Sequence, residues 1–213
     1  RVSPGLLAQR VPSPQGRMAP AALLFCLMVL CFVFSAQPDA GHILDPYSTP
    51  IFHIIRGDFM SKTIAVLSDT HGLLRPEVLD RIAGCDVIIH GGDINKPAIL
   101  DELKQIAPLY VVRGNNDKEW AEGMPETLTF QIEDVHFFMV HNKKFVPKDL
   151  PGIDVVIFGH SHKYFEETID GRLWLNPGSC GKRRFDQEIT FAIMTIDGKA
   201  VQVEKIVIPH PKK

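Results

Sequence analysis

A regular alternation of strand-like and helix-like segments begins near Met60 and limits the folds open to this chain. Short apolar runs at 63–67, 87–90 and 109–112 are typical of buried strands, and the intervening segments 76–82 and 97–106 have helical spacing. Strands and helices in this order predict parallel strands joined by right-handed crossovers. The first half of the region is therefore predicted to form a parallel sheet covered by helices.

The second half of the region is rich in strands. Predicted hairpins pair 127–132 with 135–140, 164–169 with 172–175, and 190–196 with 201–207, each across a short polar turn. Another buried strand is predicted at 155–158. We therefore predict an α/β fold in which two mixed β-sheets pack together and helices flank them, a four-layer α/β/β/α sandwich.

Side chains able to bind metal ions follow these strands where each strand ends. They come after five of the predicted strands and are Asp69, His71, Asp93, Asn115, His141, His160 and His162. Because ligands bind at the carboxyl ends of strands in α/β sheets, these side chains are expected to converge. Carboxylate and imidazole ligands favour manganese, iron, zinc, nickel or cobalt over calcium.

The spacing of the acidic and histidine residues is itself informative. Asp69 and His71 are separated by one residue, so on an extended backbone both side chains point the same way and can bind one ion. His160 and His162 have the same spacing, and they either share one ion or are divided between two. His90 precedes two glycines and is predicted to support the strand end instead of binding metal.

Five short motifs occur in a fixed order along the chain. They are Asp-x-His at 69–71, Gly-Gly-Asp at 91–93, Gly-Asn-x-Asp at 114–117, a histidine at 141 and Gly-His-x-His at 159–162. Together they closely resemble the calcineurin-like metallophosphoesterases. The short chain, with Asn-Pro-Gly-Ser at 176–179, resembles the small YfcE-type phosphodiesterase branch. The resemblance covers residues 60–208 and none of residues 1–59.

This resemblance implies a dinuclear metal centre with two sets of ligands. The first ligand group comprises Asp69, His71 and His162. The second ligand group comprises Asp93, which would bridge the ions, with Asn115, His141 and His160. Two divalent ions are implied, manganese first and nickel, iron, zinc or cobalt as alternatives. A hydroxide bridging them would attack a small phosphoester, which makes a metal-dependent phosphodiesterase the implied function.

Asn116 and Asp117 are the predicted catalytic-site residues beside the metal ligands. Many relatives have a histidine at the position of Asn116, where it can protonate the leaving group, and asparagine has no such proton to give. General acid catalysis is typically worth about 10²–10⁴-fold, so a preference for good leaving groups, such as those of aryl phosphodiesters, is expected. Asp117 either orients Asn115 or the loop backbone, or is a solvated turn residue.

The sequence also bears on a second possible function and on partners. A non-catalytic scaffold is the alternative, because the fold also resembles a retromer coat subunit whose metal positions are degraded. Here every position can coordinate a metal, which favours the enzyme. With a formal net charge of −2 the chain gives no indication of a nucleic-acid partner, and a homodimer stays open. The basic run 182–184 either faces the substrate phosphate or forms a solvated loop.

Residues 1–59 differ in character from the rest. The apolar run 21–34 has the length of a secretory signal core and is shorter than the roughly 20 residues that span a membrane. We predict a disordered N-terminal extension at 1–59, either signal-like or not translated, and a metallophosphoesterase domain without a membrane segment at 60–213. Translation from Met60 would give a cytoplasmic protein, whereas a translated extension would give a secreted or anchored one.

Overall fold

The computed structural model describes residues 61–184 and 186–210, so the predicted extension 1–59 lies outside the described residues. The strands are β1 (Lys62–Leu67), β2 (Val87–His90), β3 (Leu109–Val111), β4 (Thr127–Ile132), β5 (Val135–Val140), β6 (Val155–Ile157), β7 (Tyr164–Ile169), β8 (Arg172–Pro177), β9 (Ile189–Asp197) and β10 (Ala200–Ile208). The helices are α1 (Pro76–Ile82) and α2 (Pro97–Ile106), with short 3-10 helices at Glu119–Ala121 and Lys143–Phe145.

These strands form two mixed sheets of five strands each, in the orders β10-β9-β1-β2-β3 and β4-β5-β6-β8-β7. In the first sheet β1, β2 and β3 are parallel, and in the second β5, β6 and β8 are parallel. The three predicted hairpins are antiparallel pairs, as expected. The predicted α/β fold with two packed sheets is therefore confirmed.

The alternation of side chains along β1 shows how the layers are held together. Ala65 and Leu67 pack in a cluster with α1 and α2, whereas Ile64 and Val66 pack in the cluster between the two sheets. All four residues are fully buried. A strand covered on both faces reads as a continuous apolar run, which explains the strong strand signal at 63–67.

The outer face of the second sheet is covered differently. Phe138, Val156 and Phe158 pack there against Val146 and Leu150, which belong to the segment between β5 and β6. That segment contains the 3-10 helix Lys143–Phe145, whereas α1 and α2 both pack on the first sheet. Within the described residues, neither helix has the length and apolar character needed to cross a membrane.

Candidate metal centre

The residues after β1, β2 and β6 leave their strands with an unusual backbone conformation. Asp69, His71, Asp93, His160 and His162 all have φ between 47° and 70°. This left-handed region costs a non-glycine residue on the order of 1–3 kcal/mol and is concentrated at functional sites. The extended backbone predicted around these residues is therefore wrong. Their side chains converge because the chain turns at each of them.

The first ligand group comes together in the buried interior. Asp69 Oδ1 lies 3.2 Å from His162 Nε2 and 3.7 Å from His71 Nε2, and the two Nε2 atoms are 3.0 Å apart. Asp69 Oδ2 is already used, because it accepts hydrogen bonds from Ser68 Oγ at 2.6 Å and from the His160 N–H at 3.1 Å. The remaining carboxylate oxygen and two ring nitrogens therefore point at one position.

His141 presents a free ring nitrogen to the same region. Its Nδ1 donates to the Gly91 carbonyl at 2.7 Å, since a carbonyl can only accept. In the neutral ring Nε2 is then unprotonated, and it lies 3.4 Å from Asp93 Oδ2. His141 Nε2 and Asp69 Oδ1 are both buried without a hydrogen-bond partner in the described part of the chain. Buried polar atoms rarely stay unpaired, and a cation would satisfy both.

Asp93 lies between the two ligand groups. Its Oδ2 is 3.8 Å from His71 Nε2 and 3.4 Å from His141 Nε2, one ring nitrogen of each ligand group. Asn116 holds the carboxylate through its backbone N–H, at 2.8 Å from Oδ1, and its side-chain amide nitrogen, at 2.6 Å from Oδ2. Burial opposes ionisation of Asp93, but the positive charge of His141 in its protonated form and these Asn116 donors outweigh it and hold the pKa of Asp93 below the usual range.

His160 and Asn115 form the exposed rim of the second ligand group. His160 Nδ1 lies 2.9 Å from Asn115 Oδ1, and the His160 ring centroid is 5.3 Å from that of His141. His162 instead faces Asp69 and His71. The two histidines therefore lie in different groups of ligand-type side chains, which is the arrangement needed if they bind separate ions.

The basic run 182–184 contributes one side chain to the edge of the site. Arg184 Nη2 lies 3.5 Å from His71 Nδ1, whereas Arg183 turns away to Asp186 and Gln187. Burial lowers the pKa of His71 and the nearby guanidinium adds to this, partly offset by the carboxylates of the site. The neutral imidazole that results is the form that binds metal ions.

His90 and Asp117 support the site from behind. His90 is fully buried, its Nδ1 accepts from the Gly92 N–H, and its Nε2 lies 3.2 Å from Thr70 Oγ1. Burial lowers its pKa to about 4, so it is neutral, in agreement with the predicted supporting role. Asp117 is 3% exposed and accepts from the backbone N–H groups of Asn95 and Gly114. It therefore orients the loop backbone, the first of the two alternatives considered.

Three further polar residues hold the site and were not anticipated. Ser68 binds Asp69 directly, and Ser179 Oγ donates to the Asp69 carbonyl at 2.8 Å. Asn176 donates to the Gly159 carbonyl at 2.8 Å and to Ser161 Oγ at 3.0 Å. The Asn-Pro-Gly-Ser segment that was noted as a family feature is thus the one that fixes two ligand loops.

Comparison with known proteins places the chain in a family. The model of the calcineurin-like phosphoesterase superfamily domain matches residues 63–199. A probable metallophosphoesterase of Methanothermobacter thermautotrophicus is 32% identical over 157 residues, which are 67% of this chain and 91% of the relative. A phosphodiesterase of Methanocaldococcus jannaschii is 30% identical over 139 residues, 55% of this chain and 83% of that protein.

Solved structures agree on the fold. A Vps29 variant from Entamoeba histolytica has a TM-score of 0.56 at 22% identity, covering 69% of this chain and 99% of that structure. The Escherichia coli phosphoesterase YfcE has a TM-score of 0.53 at 22% identity, covering 69% of this chain and all of that structure. At this level of identity the two likenesses concern the fold alone.

Proposed function

Because this chain belongs to the calcineurin-like phosphoesterase superfamily, we propose that it is a metal-dependent phosphodiesterase with two divalent ions at this site. The observation that carries the proposal is the pair of buried, unpartnered ligand atoms, Asp69 Oδ1 and His141 Nε2. Asp69 belongs to both of two clusters of ligand-type side chains, one with His71 and His162 and the other with Asp93 and His141. We propose manganese as the first occupant, with nickel, iron, zinc or cobalt as alternatives.

Residues of the chain itself hold the metal ligands in place and favour the approach of the substrate. Ions bound here would lower the pKa of water and offset the charge that develops on the phosphoryl oxygens. Ser68 and Asn116 hold the carboxylates of Asp69 and Asp93 in place. Arg184, at the edge of the site, adds a positive charge that favours the approach of an anionic ester.

The leaving group must depart with little help from a protein acid. Asn116 occupies the position next to Asn115, and both its backbone and its side-chain N–H groups are engaged by Asp93. It neither carries a transferable proton nor is free to approach a leaving oxygen. Diesters with good leaving groups are therefore the proposed substrates, and the relative named as a phosphodiesterase is consistent with that class.

The test is hydrolysis of bis(4-nitrophenyl) phosphate by the full chain before chelation, after chelation, and after addition of Mn²⁺. We expect turnover that chelation removes and Mn²⁺ restores. An absence of metal-stimulated turnover would contradict the proposal and favour the non-catalytic scaffold. Alkyl phosphate monoesters provide the second arm. Their hydrolysis at a rate equal to that of the nitrophenyl diester would refute the account of the leaving group.

A further inference from the structure

A cavity of about 580 Å³ opens beside the second ligand group. Asn115, His141 and His160 form its inner wall. The rest of its lining includes Arg113, Glu126, Thr127 and Phe145. The volume lies within the range of about 300–1,000 Å³ that small-molecule sites occupy, so the cavity can hold a substituent much larger than a phosphoryl group.

Phe145 brings an exposed aromatic ring to this cavity. The residue is 72% exposed, compared with 44% for Val207, the other large hydrophobic residue exposed in the described part of the chain. Single exposed hydrophobic residues are common on protein surfaces, so exposure alone does not mark a ligand contact. The position of the ring beside a polar site, and the way its turn is fixed, are what distinguish it.

The 3-10 helix that carries Phe145 is anchored on both sides. Asn142 Oδ1 accepts from the Lys144 N–H at 3.0 Å, and the Phe145 N–H donates to the Asn142 carbonyl at 2.9 Å. Lys143 Nζ lies over three aromatic rings on the outer face of the second sheet, 4.3 Å from the Phe165 centroid, 5.1 Å from that of Trp174 and 5.2 Å from that of Phe158. Such cation–π contacts fix the turn, so Phe145 is presented in a preorganised position.

Arg113 gives the same cavity a cationic, planar group. Its backbone N–H is fixed by the Pro125 carbonyl at 2.9 Å, while its guanidinium lies 3.9 Å from a Glu126 carboxylate that is 78% exposed. A loose, solvated ion pair of this kind contributes little and leaves the guanidinium available. Arginine stacks on aromatic faces, so an aromatic ring and a guanidinium together suit a planar, electron-rich ring.

We propose that this cavity is a subsite for a planar aromatic group on the substituent that stays bound to phosphorus, either a nucleobase or an aryl group, and that Phe145 stacks on it. The inference rests on the proposed phosphodiesterase function and adds the class of ester that the site selects. Phe145 is a specificity-determining residue in this account, since it contacts the substituent and not the reacting phosphorus.

Three diesters with the same 4-nitrophenolate leaving group test the subsite. Their second substituent is a methyl group, a phenyl group or the 5′-oxygen of thymidine, so leaving-group chemistry is constant and only the substituent changes. Phe145→Ala should raise KM for the phenyl and thymidine esters by about tenfold, the order expected for loss of one stacking contact, and leave KM for the methyl ester unchanged. A KM increase confined to the phenyl ester would indicate an aryl subsite, and one confined to the thymidine ester would indicate a nucleobase subsite.

Matched variants separate stacking from general effects. Phe145→Leu keeps an apolar side chain but removes the ring, and should raise KM for the aromatic esters nearly as much. Val207→Ala changes a residue that is 44% exposed and lies on β10, away from the cavity wall, and should change none of the constants. Equal effects of Phe145→Ala on the methyl and aromatic esters, or no effect on any, would overturn the proposal.

Binding provides a readout that does not depend on turnover. Calorimetric titration of the manganese-loaded chain with phenylphosphonate and with methylphosphonate should show tighter binding of the phenyl compound. Phe145→Ala should abolish that difference. An inactive wild type would contradict the proposed function, and this titration would still decide the subsite. A preference for phenylphosphonate that survives Phe145→Ala would overturn the proposal that Phe145 forms the subsite.

Discussion

Asp69 and His141 are held through the atoms that they do not offer to a metal ion. Asp69 uses Oδ2 to accept two hydrogen bonds, and His141 uses Nδ1 to donate to a carbonyl. The remaining Oδ1 and Nε2 are thereby aimed at the centre of the site. Supporting hydrogen bonds of this kind fix the orientation and tautomer of metal ligands, and their loss typically lowers metal affinity by about 10–100-fold.

His90 allows a test of the supporting layer through stability. His90→Gln removes a buried ring and its bonds to Gly92 and Thr70, so the free energy of unfolding should fall by about 1–3 kcal/mol at pH 7.5. The folded-state pKa of about 4 lies below the ordinary histidine value of 6.5. Between pH 4 and pH 6.5 the unfolded state binds more protons at His90 than the folded state does. The stability that neutral, buried His90 contributes is therefore present above pH 6.5 and is lost as pH falls towards 4.

Urea unfolding of chelated wild type and His90→Gln from pH 7.5 to 4.5 measures this effect. The wild type should lose up to about 1.4 kcal/mol per pH unit more than the variant in that window, because one extra proton is taken up on unfolding. The stability difference between the two proteins should therefore shrink at low pH. Parallel curves would show that His90 is not buried in its neutral form.

The sequence identifies the residue types at the site but not their backbone geometry. The position of Asp93 after a buried strand made it a metal-ligand candidate, yet nothing in its identity indicates a φ of 58°. Asp117 was ambiguous because its partners are backbone N–H groups, one of them on Asn95, 22 residues away. Backbone donors are present at every non-proline residue, so such a pairing leaves no signature in a single sequence.

At the level of elements, the loops after β2 and β3 must approach each other closely. Gly114 follows β3, and a Cβ placed on it would overlap both the backbone nitrogen and a carboxylate oxygen of Asp93. The position requires glycine for the room it leaves and not for its φ. The approach of these two loops is what brings Asp93 within hydrogen-bond distance of Asn116.

Gly114→Ala is therefore expected to displace Asp93 and weaken metal binding by at least about tenfold, on the scale known for disturbed ligand support. Gly123→Ala is the matched control, since a Cβ there meets no atom within 4 Å. Titration of both variants and the wild type with Mn²⁺ by calorimetry gives the comparison. Wild-type affinity in Gly114→Ala, or an equal loss in Gly123→Ala, would contradict the proposed packing.

Element prediction succeeded where burial makes a strand apolar and was less exact at the edge of a sheet. The strands around β1 are covered on both faces and were recognised as apolar runs. β10 pairs only with β9 and carries the exposed residues Glu204 and Lys205, so its full extent to Ile208 is weakly marked in the sequence. The cover over the second sheet is a loop with a 3-10 helix, whose apolar contacts have no regular period.

For the molecule as a whole, the site exists only when both sheets are assembled. His71 and His162 are 91 residues apart in the chain, and Ser179 reaches the Asp69 carbonyl across 110 residues. Contacts of this separation depend on the complete fold. Protection of buried side chains beneath the site from chemical modification is therefore a measure of whether the site has assembled.

Cys180 is such a group. It is fully buried with Sγ 3.4 Å from the Ser68 carbonyl, and burial raises the pKa of the thiol to about 12. Because the thiolate is the reactive form, iodoacetamide at pH 8 should leave Cys180 unmodified in the native chain and label it after denaturation. Peptide mapping by mass spectrometry assigns the label to this residue. Native-state labelling as fast as in the denatured chain would contradict the assembled fold.

The central proposal is a site that would hold two divalent ions with Asp93 among the ligands, and metal content tests it most directly. Elemental analysis of the manganese-loaded chain should give two ions per chain for the wild type and for Asp101→Ala, which alters an exposed residue of α2. Asp93→Ala should hold at most one ion and lose turnover by at least about 100-fold. A wild type without tightly bound divalent ions, or an Asp93→Ala variant with both ions and full turnover, would contradict the account.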